Sequence, residues 1–203
     1  MFLQRTIREK AVVEGIGLHT GKPAKITFCP APEDTGIFFV RRDLPGQPFI
    51  SPNAERVKAT SMATTLGSDD FSVSTVEHCL SALAAFRVDN LIIELDGPEI
   101  PIGDGSARGF LEALLGVGFA EQSQPRSYAY ITEPIYEGDA DKHASVVPYN
   151  GLRVSCTIDF PHPSIGRQSM DIEITEQSFT RDISGARTFG FLNEVEMLRA
   201  KGL

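Results

Sequence analysis

FSVSTVEHCLSALAAF, residues 71–86, runs from the end of a β-prone segment into a helix. Ser74 is a good N-cap residue, and Glu77 stands three places on, the spacing of a capping box. Val76, Leu80 and Leu83 recur at helical spacing, and Ala82, Ala84 and Ala85 permit close packing. The pattern predicts a mostly buried helix with Glu77 and His78 side by side in its first turn. On these residues alone two readings of the pair stand open. One is a capping glutamate beside a packed histidine. The other is a general base beside a metal ligand.

Before this helix the chain reads as strands. Residues 6–7, 11–13, 24–28 and 36–42 are strand-like, and ATSMATTL (59–66) is β-prone. GIGLHTG (15–21) places three glycines in seven residues, which predicts a tight loop with unusual dihedrals. No helical pattern follows it, so it is neither a dinucleotide fingerprint nor a P-loop. His19 in that loop is exposed or hydrogen-bonded, and is a site candidate only if other features point there. After the helix, NLIIEL (90–95) reads as a buried strand. EIPIGDGSA (99–107) then leads to a second helix over 107–115, capped by Ser106, with Phe110, Leu111 and Leu114 inward and Gly116 ending it. Several strands with two helices on one face predict an α+β two-layer sandwich, a sheet backed by two helices.

EQSQP (121–125) reads as a linker, dividing the chain into domains 1–124 and 125–203. Beyond it, 128–132 and 143–147 are strand-like. LRVSCTIDF (152–160) alternates, with Leu152, Val154, Cys156, Ile158 and Phe160 predicted inward, and Met170, Ile172 and Ile174 alternate likewise. Phe191, Val195 and Leu198 repeat at helical spacing. FCPAP (28–32) faintly echoes FPHP (160–163), a hint of two similar units. A copy of the first unit would own two helices, whereas only one helix-like stretch is visible. The second unit is therefore expected to be incomplete at its C-terminal side, leaving faces such as those of Val154, Ile158 and Phe191 uncovered.

At 203 residues, with 41% apolar and 23% charged residues, the chain is long enough and apolar enough to bury a core. A formal net charge of −8 argues against nucleic acid as a general partner. Cys29, Cys79 and Cys156 are far apart and form no CxxC pair, which fits a reducing compartment and free thiols. Gln4-Arg5 follow directly on Met1-Phe2-Leu3, so no signal peptide is expected. The longest apolar runs are about eight residues, against the roughly 20 that a membrane span needs. The expectation is a soluble cytoplasmic protein.

Five motifs, GIGLHTG (15–21), STVEH (74–78), EIPIGDGSA (99–107), TIDFPHP (157–163) and ARTFGF (186–191), together resemble one family. It is the zinc-dependent deacetylase family that acts on UDP-3-O-(3-hydroxyacyl)-N-acetylglucosamine in lipid A biosynthesis. The resemblance covers essentially the whole chain, in the family's motif order. It implies two similar α+β sandwich domains with the site between them, in a protein that is monomeric when complete. It implies that His78 is a zinc ligand and Glu77 the general base acting on the zinc-bound water. Thr188 would donate to the developing oxyanion, and Phe189 would pack near the sugar. Leu18, Met62, Phe191 and Val195 would line a passage for the hydroxyacyl chain. Asp159 and Phe160 would lie where the uridine diphosphate is held, with His19 and Asp104 as supporting residues.

The resemblance also implies residues that this sequence does not contain. Two further zinc ligands, a His and an Asp, belong to a later HKxxD helix, and a general-acid His and a substrate-binding Lys belong to the C-terminal third. His143 and His162 match no ligand motif. One histidine cannot hold a catalytic zinc, which takes three protein ligands and an open position. The remaining ligands are expected beyond residue 203, and the chain alone is expected to be inactive. The alternative is a metal-free fragment that binds the sugar nucleotide or acyl chain without hydrolysing it.

Overall fold

The computed structural model describes residues 2–192 and 195–196. They divide into two compact units, one built from residues up to Arg126 and again from Thr180, the other from Ser127–Phe179.

The first unit contains β1 (Leu3–Ile7), β2 (Ala11–Ile16), β3 (Pro23–Pro30), β4 (Ile37–Arg41), β5 (Phe49–Ile50), β6 (Val57–Ala59), β7 (Thr65–Gly67), β8 (Ser72–Ser74), α1 (Glu77–Ala85), β9 (Leu91–Leu95), α2 (Arg108–Val117) and β10 (Phe119–Pro125). The main sheet has the order β2-β3-β9-β4-β5. Its pairs are antiparallel except β4 with β9, which run parallel. Alternation does the sorting. On β9, Leu91, Ile93 and Leu95 are buried while Ile92 and Glu94 are not, and on β3 Ile26 and Phe28 are fully buried. Phe28 pairs with Ile93, and Ile93 with Phe39 across the parallel pair. These residues form the core together with Cys79, Ala82 and Leu83 of α1 and Phe110, Leu111 and Leu114 of α2. The result is the expected α+β sandwich, with mixed sheets and helices packed as a second layer.

Several local expectations are corrected. Helix α1 starts at Glu77 with Val76 in the cap position and no side-chain cap. Ser74 is the last residue of β8, and its hydroxyl lies 2.9 Å from that of Thr65 across the β7–β8 pair, so it is not free to cap. Helix α2 runs through Gly116 to Val117 and stops at Gly118, whose φ of +72° suits glycine. Ser106 does serve its start, accepting from Arg108 N at 3.2 Å. The stretch read as a linker, 121–125, is the last five of the seven residues of β10, paired antiparallel with β1. Its polarity belongs to a strand rather than to flexibility: Gln122 Nε2 donates to the Ala31 carbonyl at 3.0 Å, and the Ser123 hydroxyl to Glu33 at 2.7 Å.

The second unit holds two hairpins, β11 (Ile135–Gly138) with β12 (His143–Val146), and β13 (Arg153–Phe160) with β14 (Gly166–Glu173). Asp139 closes the first turn, its Oδ1 accepting from Asp141 N and Lys142 N, each at 2.8 Å. Residues 128–132, expected as a strand, carry none, and Tyr130 is largely exposed. Val154 faces Ile172 and Cys156 faces Met170, as the alternation predicts. That face is nevertheless exposed rather than inward, Leu152, Val154, Cys156 and Met170 included, because a two-stranded hairpin cannot bury a face by itself. A helical turn not expected from sequence follows at Glu176–Ser178, continued by a wider turn at Phe179–Ile183. Thr175 and Ser178 form its capping box.

At the far end, Val195 N donates to the Phe191 carbonyl at 3.0 Å, one helical bond of the expected repeat. Leu198 lies outside the described residues. No helix among the described residues is long and apolar enough to cross a membrane.

Candidate functional site

The segment 98–106 is the thread on which the candidate residues of the first unit are strung. At its start, Ser74 N donates to the Pro98 carbonyl at 2.8 Å and Ile100 N to the Ser74 carbonyl at 3.1 Å, so the segment runs beside β8. Ile102 N reaches the Ile16 carbonyl at 3.0 Å, fastening the glycine-rich loop. At its end the Gly105 carbonyl accepts from Thr188 N at 2.8 Å, and the Asp104 carbonyl from Arg187 Nε at 2.7 Å. Gly105 has φ +87°, and Thr188 Cγ2 lies 3.6 Å from where a β-carbon would stand.

Glu77 and His78 occupy the first turn of α1, both half-buried. Both carboxylate oxygens of Glu77 receive Thr64 N, at 3.3 and 3.2 Å. This replaces the predicted capping box: the carboxylate turns outward to the loop 60–64 instead of back onto Ser74. Met62 is in that loop, half exposed and with φ +61°. Thr75, just before the helix, has φ +62°, a costly conformation for a β-branched residue, at about 1–3 kcal/mol.

The loop 15–21 carries Leu18, which is exposed, and His19. Gly17 N bonds the Lys22 carbonyl at 2.9 Å and Gly21 N the Gly17 carbonyl at 3.0 Å. Glu99, absent from the sequence-based candidates, binds this loop. Its Oε1 accepts from His19 N at 2.8 Å and Thr75 Oγ1 at 3.1 Å, and its Oε2 from Thr20 N at 2.9 Å. Burial pushes the Glu99 carboxyl upward, but the donors of His19, Thr20 and Thr75 outweigh it and hold the group below the ordinary glutamate value. His19 Nε2 is buried without a hydrogen-bond partner among the described residues. The available clue to Glu99 was a lone acid set between Pro98 and the apolar Ile100-Pro101-Ile102.

Asp104 is exposed and accepts from the Ser106 hydroxyl at 2.6 Å and Ser106 N at 3.0 Å. The Ser106 hydroxyl lowers its carboxyl most, with Arg187 and Arg108 adding to the effect against partial desolvation. Thus Asp104 and Thr188 are joined through one short backbone link, and Thr188 and Phe189 are both exposed. Phe189 meets Phe191 edge to face at 5.8 Å. Val195 is half-buried. Asp159 and Phe160 lie in the other unit at the end of β13, where Asp159 pairs with Arg167 at 3.4 Å. His143 stacks on Tyr136, and His162 Nδ1 accepts from Ser164 N at 3.2 Å.

Among the described residues no group of three or more His, Cys, Asp and Glu is placed to hold a metal ion. His78 is one candidate ligand, and a catalytic zinc site takes three. The described residues therefore do not by themselves fit a complete zinc site. What they do offer is a half-buried carboxylate beside an imidazole, and an exposed hydroxyl on a docked segment.

Comparison with known proteins gives a consistent answer. The family model described as UDP-3-O-acyl N-acetylglycosamine deacetylase matches residues 4–203. A protein of Bdellovibrio bacteriovorus named UDP-3-O-acyl-N-acetylglucosamine deacetylase is 64% identical over 203 residues, covering 100% of this chain and 67% of that protein. Proteins of the same name from Oleidesulfovibrio alaskensis and Myxococcus xanthus are 49% and 48% identical, covering 98% of this chain and 66% and 64% of their own lengths. The chain spans about two-thirds of the length of the curated relatives it matches.

Proposed function

This chain belongs to the UDP-3-O-acyl N-acetylglycosamine deacetylase family, and we propose that it supplies the general base and one metal ligand for removing the N-acetyl group of UDP-3-O-(3-hydroxyacyl)-N-acetylglucosamine in lipid A biosynthesis. The family's chemistry is hydrolytic: water adds to the acetyl carbonyl carbon, the C–N bond breaks, and acetate and a free 2-amino sugar nucleotide leave. The observation that carries the reading is the Glu77–His78 pair, half-buried at the start of α1 within the family match.

Glu77 removes a proton from the attacking water, and its two contacts with Thr64 N orient the carboxylate for that task. The Thr188 hydroxyl donates to the oxygen that gains negative charge as the carbonyl is attacked. Phe189 packs against the sugar. Leu18, Met62, Phe191 and Val195 line the acyl passage, a role supported by the exposure of Leu18 and Met62, which leaves apolar surface for a chain to cover. At about 0.8 kcal/mol per buried methylene, such a surface adds specificity quickly. Asp159 and Phe160 hold the uridine diphosphate, with His19 and Asp104 in support. The family's metal would be zinc, with His78 as one of its ligands, and it would polarise the acetyl carbonyl and lower the pKa of the attacking water. A monomeric, cytoplasmic enzyme built of two α+β sandwich domains, with residues 125–203 opening the second, completes the reading.

The test uses the polypeptide at the full length of its relatives. Glu77→Gln is expected to lower turnover by about 10²–10⁴-fold, the range of a lost general base. His78→Ala is expected to lose a zinc that the parent holds at roughly one per chain. Undiminished turnover in Glu77→Gln sinks the assignment. A second reading, a metal-free binding fragment, is favoured by the lack of a ligand cluster among the described residues. Calorimetric titration of the 203-residue chain with a UDP-sugar decides it: saturable heat without acetate release supports it, and a flat trace removes it.

A further inference from the structure

Glu99 is 3% exposed, and its hydrogen bonds among the described residues run from neutral donors on two separate pieces of chain. One piece is the backbone of His19 and Thr20 in the glycine-rich loop. The other is Thr75, held at φ +62° two residues before Glu77. The carboxylate fits because Gly17 has no side chain: a β-carbon there would come within 2.3 Å of Glu99 Oε2. His19 is thus pinned by its backbone, while its ring Nε2 is buried with no hydrogen-bond partner among the described residues.

We infer that Glu99 is a positioning residue of the deacetylase site, one carboxylate that sets the His19 loop and the entry to the Glu77–His78 helix relative to each other. The inference rests on the function proposed above. Glu99 touches neither the described candidate base nor the candidate ligand; it acts through Thr75 and the loop backbone. A carboxylate is suited because it accepts from all three donors at once. An amide would turn an NH2 group against one of them.

The experiment uses the polypeptide at the full length of its relatives, with Glu99→Gln, Thr75→Val and Thr75→Ser beside Glu77→Gln. Readouts are kcat and KM, bound zinc, and amide exchange at His19 and Thr20 against Leu83 and Ile93 in the core. Glu99→Gln is expected to lower kcat about tenfold or more while speeding exchange at His19 and Thr20 by a similar factor, the scale of one lost bond to a charged acceptor. Exchange at Leu83 and Ile93, and the bound zinc, should stay unchanged. Thr75→Val should lower kcat several-fold, with Thr75→Ser close to the parent because it keeps the hydroxyl. Faster loop exchange with unchanged kcat overturns the inference, since the clamp is then structural only. Unchanged loop exchange overturns it as well. If Glu99→Gln does not fold, equal kcat in Thr75→Val and Thr75→Ser overturns it. An active Glu77→Gln removes the functional reading itself. An inactive Glu77→Gln beside a fully active Glu99→Gln removes this inference alone.

Discussion

Replacing Gly17 by alanine puts one methyl group against the buried Glu99 carboxylate. The new β-carbon would lie 2.3 Å from Glu99 Oε2, 2.4 Å from Thr20 Oγ1 and 2.8 Å from Glu99 Cδ. Glu99 is buried and cannot swing into solvent, so it must retreat from the loop. Retreat lengthens its bonds from Thr20 N and His19 N, now 2.9 and 2.8 Å. A hydrogen bond to a charged group contributes about 1.5–3 kcal/mol, so losing both costs about 3–6 kcal/mol. Alanine returns about 0.4–1 kcal/mol by narrowing the unfolded ensemble. The net expectation is a loss of about 3 kcal/mol, read in urea unfolding as a lower midpoint at unchanged slope. Two controls bracket the argument. At Gly97 nothing lies within 4 Å of an added β-carbon and φ is ordinary, so Gly97→Ala should be neutral or stabilising by up to about 1 kcal/mol. At Gly21 space is open but φ is +62°, so Gly21→Ala should cost about 1–2 kcal/mol from the backbone alone. A Gly17→Ala variant no less stable than Gly21→Ala would refute the packing of Glu99 against this loop.

Two further outcomes are expected. Cys156 is exposed on β13, whereas Cys79 is fully buried and burial pushes its thiol far up. Cys29 is raised by burial and then by Glu94, with Lys10 opposing. Alkylation of the native protein followed by peptide mass spectrometry should therefore mark Cys156 first and Cys79 only after unfolding; equal rates at Cys79 and Cys156 would contradict the core described for α1. The Glu99 carboxyl is held below the ordinary glutamate value of 4.5, so its contribution to stability is present above that pH and lost as pH falls through the lower folded value. The stability difference between the parent and Glu99→Gln should be flat from about pH 8 to about pH 5 and shrink below that. A difference that grows on acidification would reverse the sign of the argument.

The parts of the fold legible in the sequence were those written by periodicity. Val76 at the cap of α1, Leu83 on α1, and Phe110, Leu111 and Leu114 on α2 are buried where their spacing places them, while Leu80 is half-buried; β9, expected as a buried strand, buries only alternate residues. The start of α1 was not legible, because Ser74 and Glu77 have the composition of a capping box but each is engaged elsewhere, with Thr65 and Thr64. Nothing local announces a cross-strand hydroxyl pair. Residues 121–125 misled because a polar strand at an edge and a linker share a composition; only the pairing with β1, more than a hundred residues away, separates them. The motif EIPIGDGSA was visible as a unit, yet Glu99 was not singled out, since its partners come from the loop 15–21 and from Thr75 and meet only in the folded chain.

The pairing of β1 with β10 also bears on synthesis. Leu3 is matched with Pro125 and Ile7 with Phe119, so β1 has no partner strand among the described residues until β10 has left the ribosome. At about 5–20 residues per second, residues 3–7 wait some 6–25 s for β10. During that interval Ile7, 1% exposed once folded, is bare beside unpaired backbone. A nascent chain stalled before residue 119 should therefore stay bound by chaperones and sensitive to protease, and one extended past residue 125 should become protected in a single step.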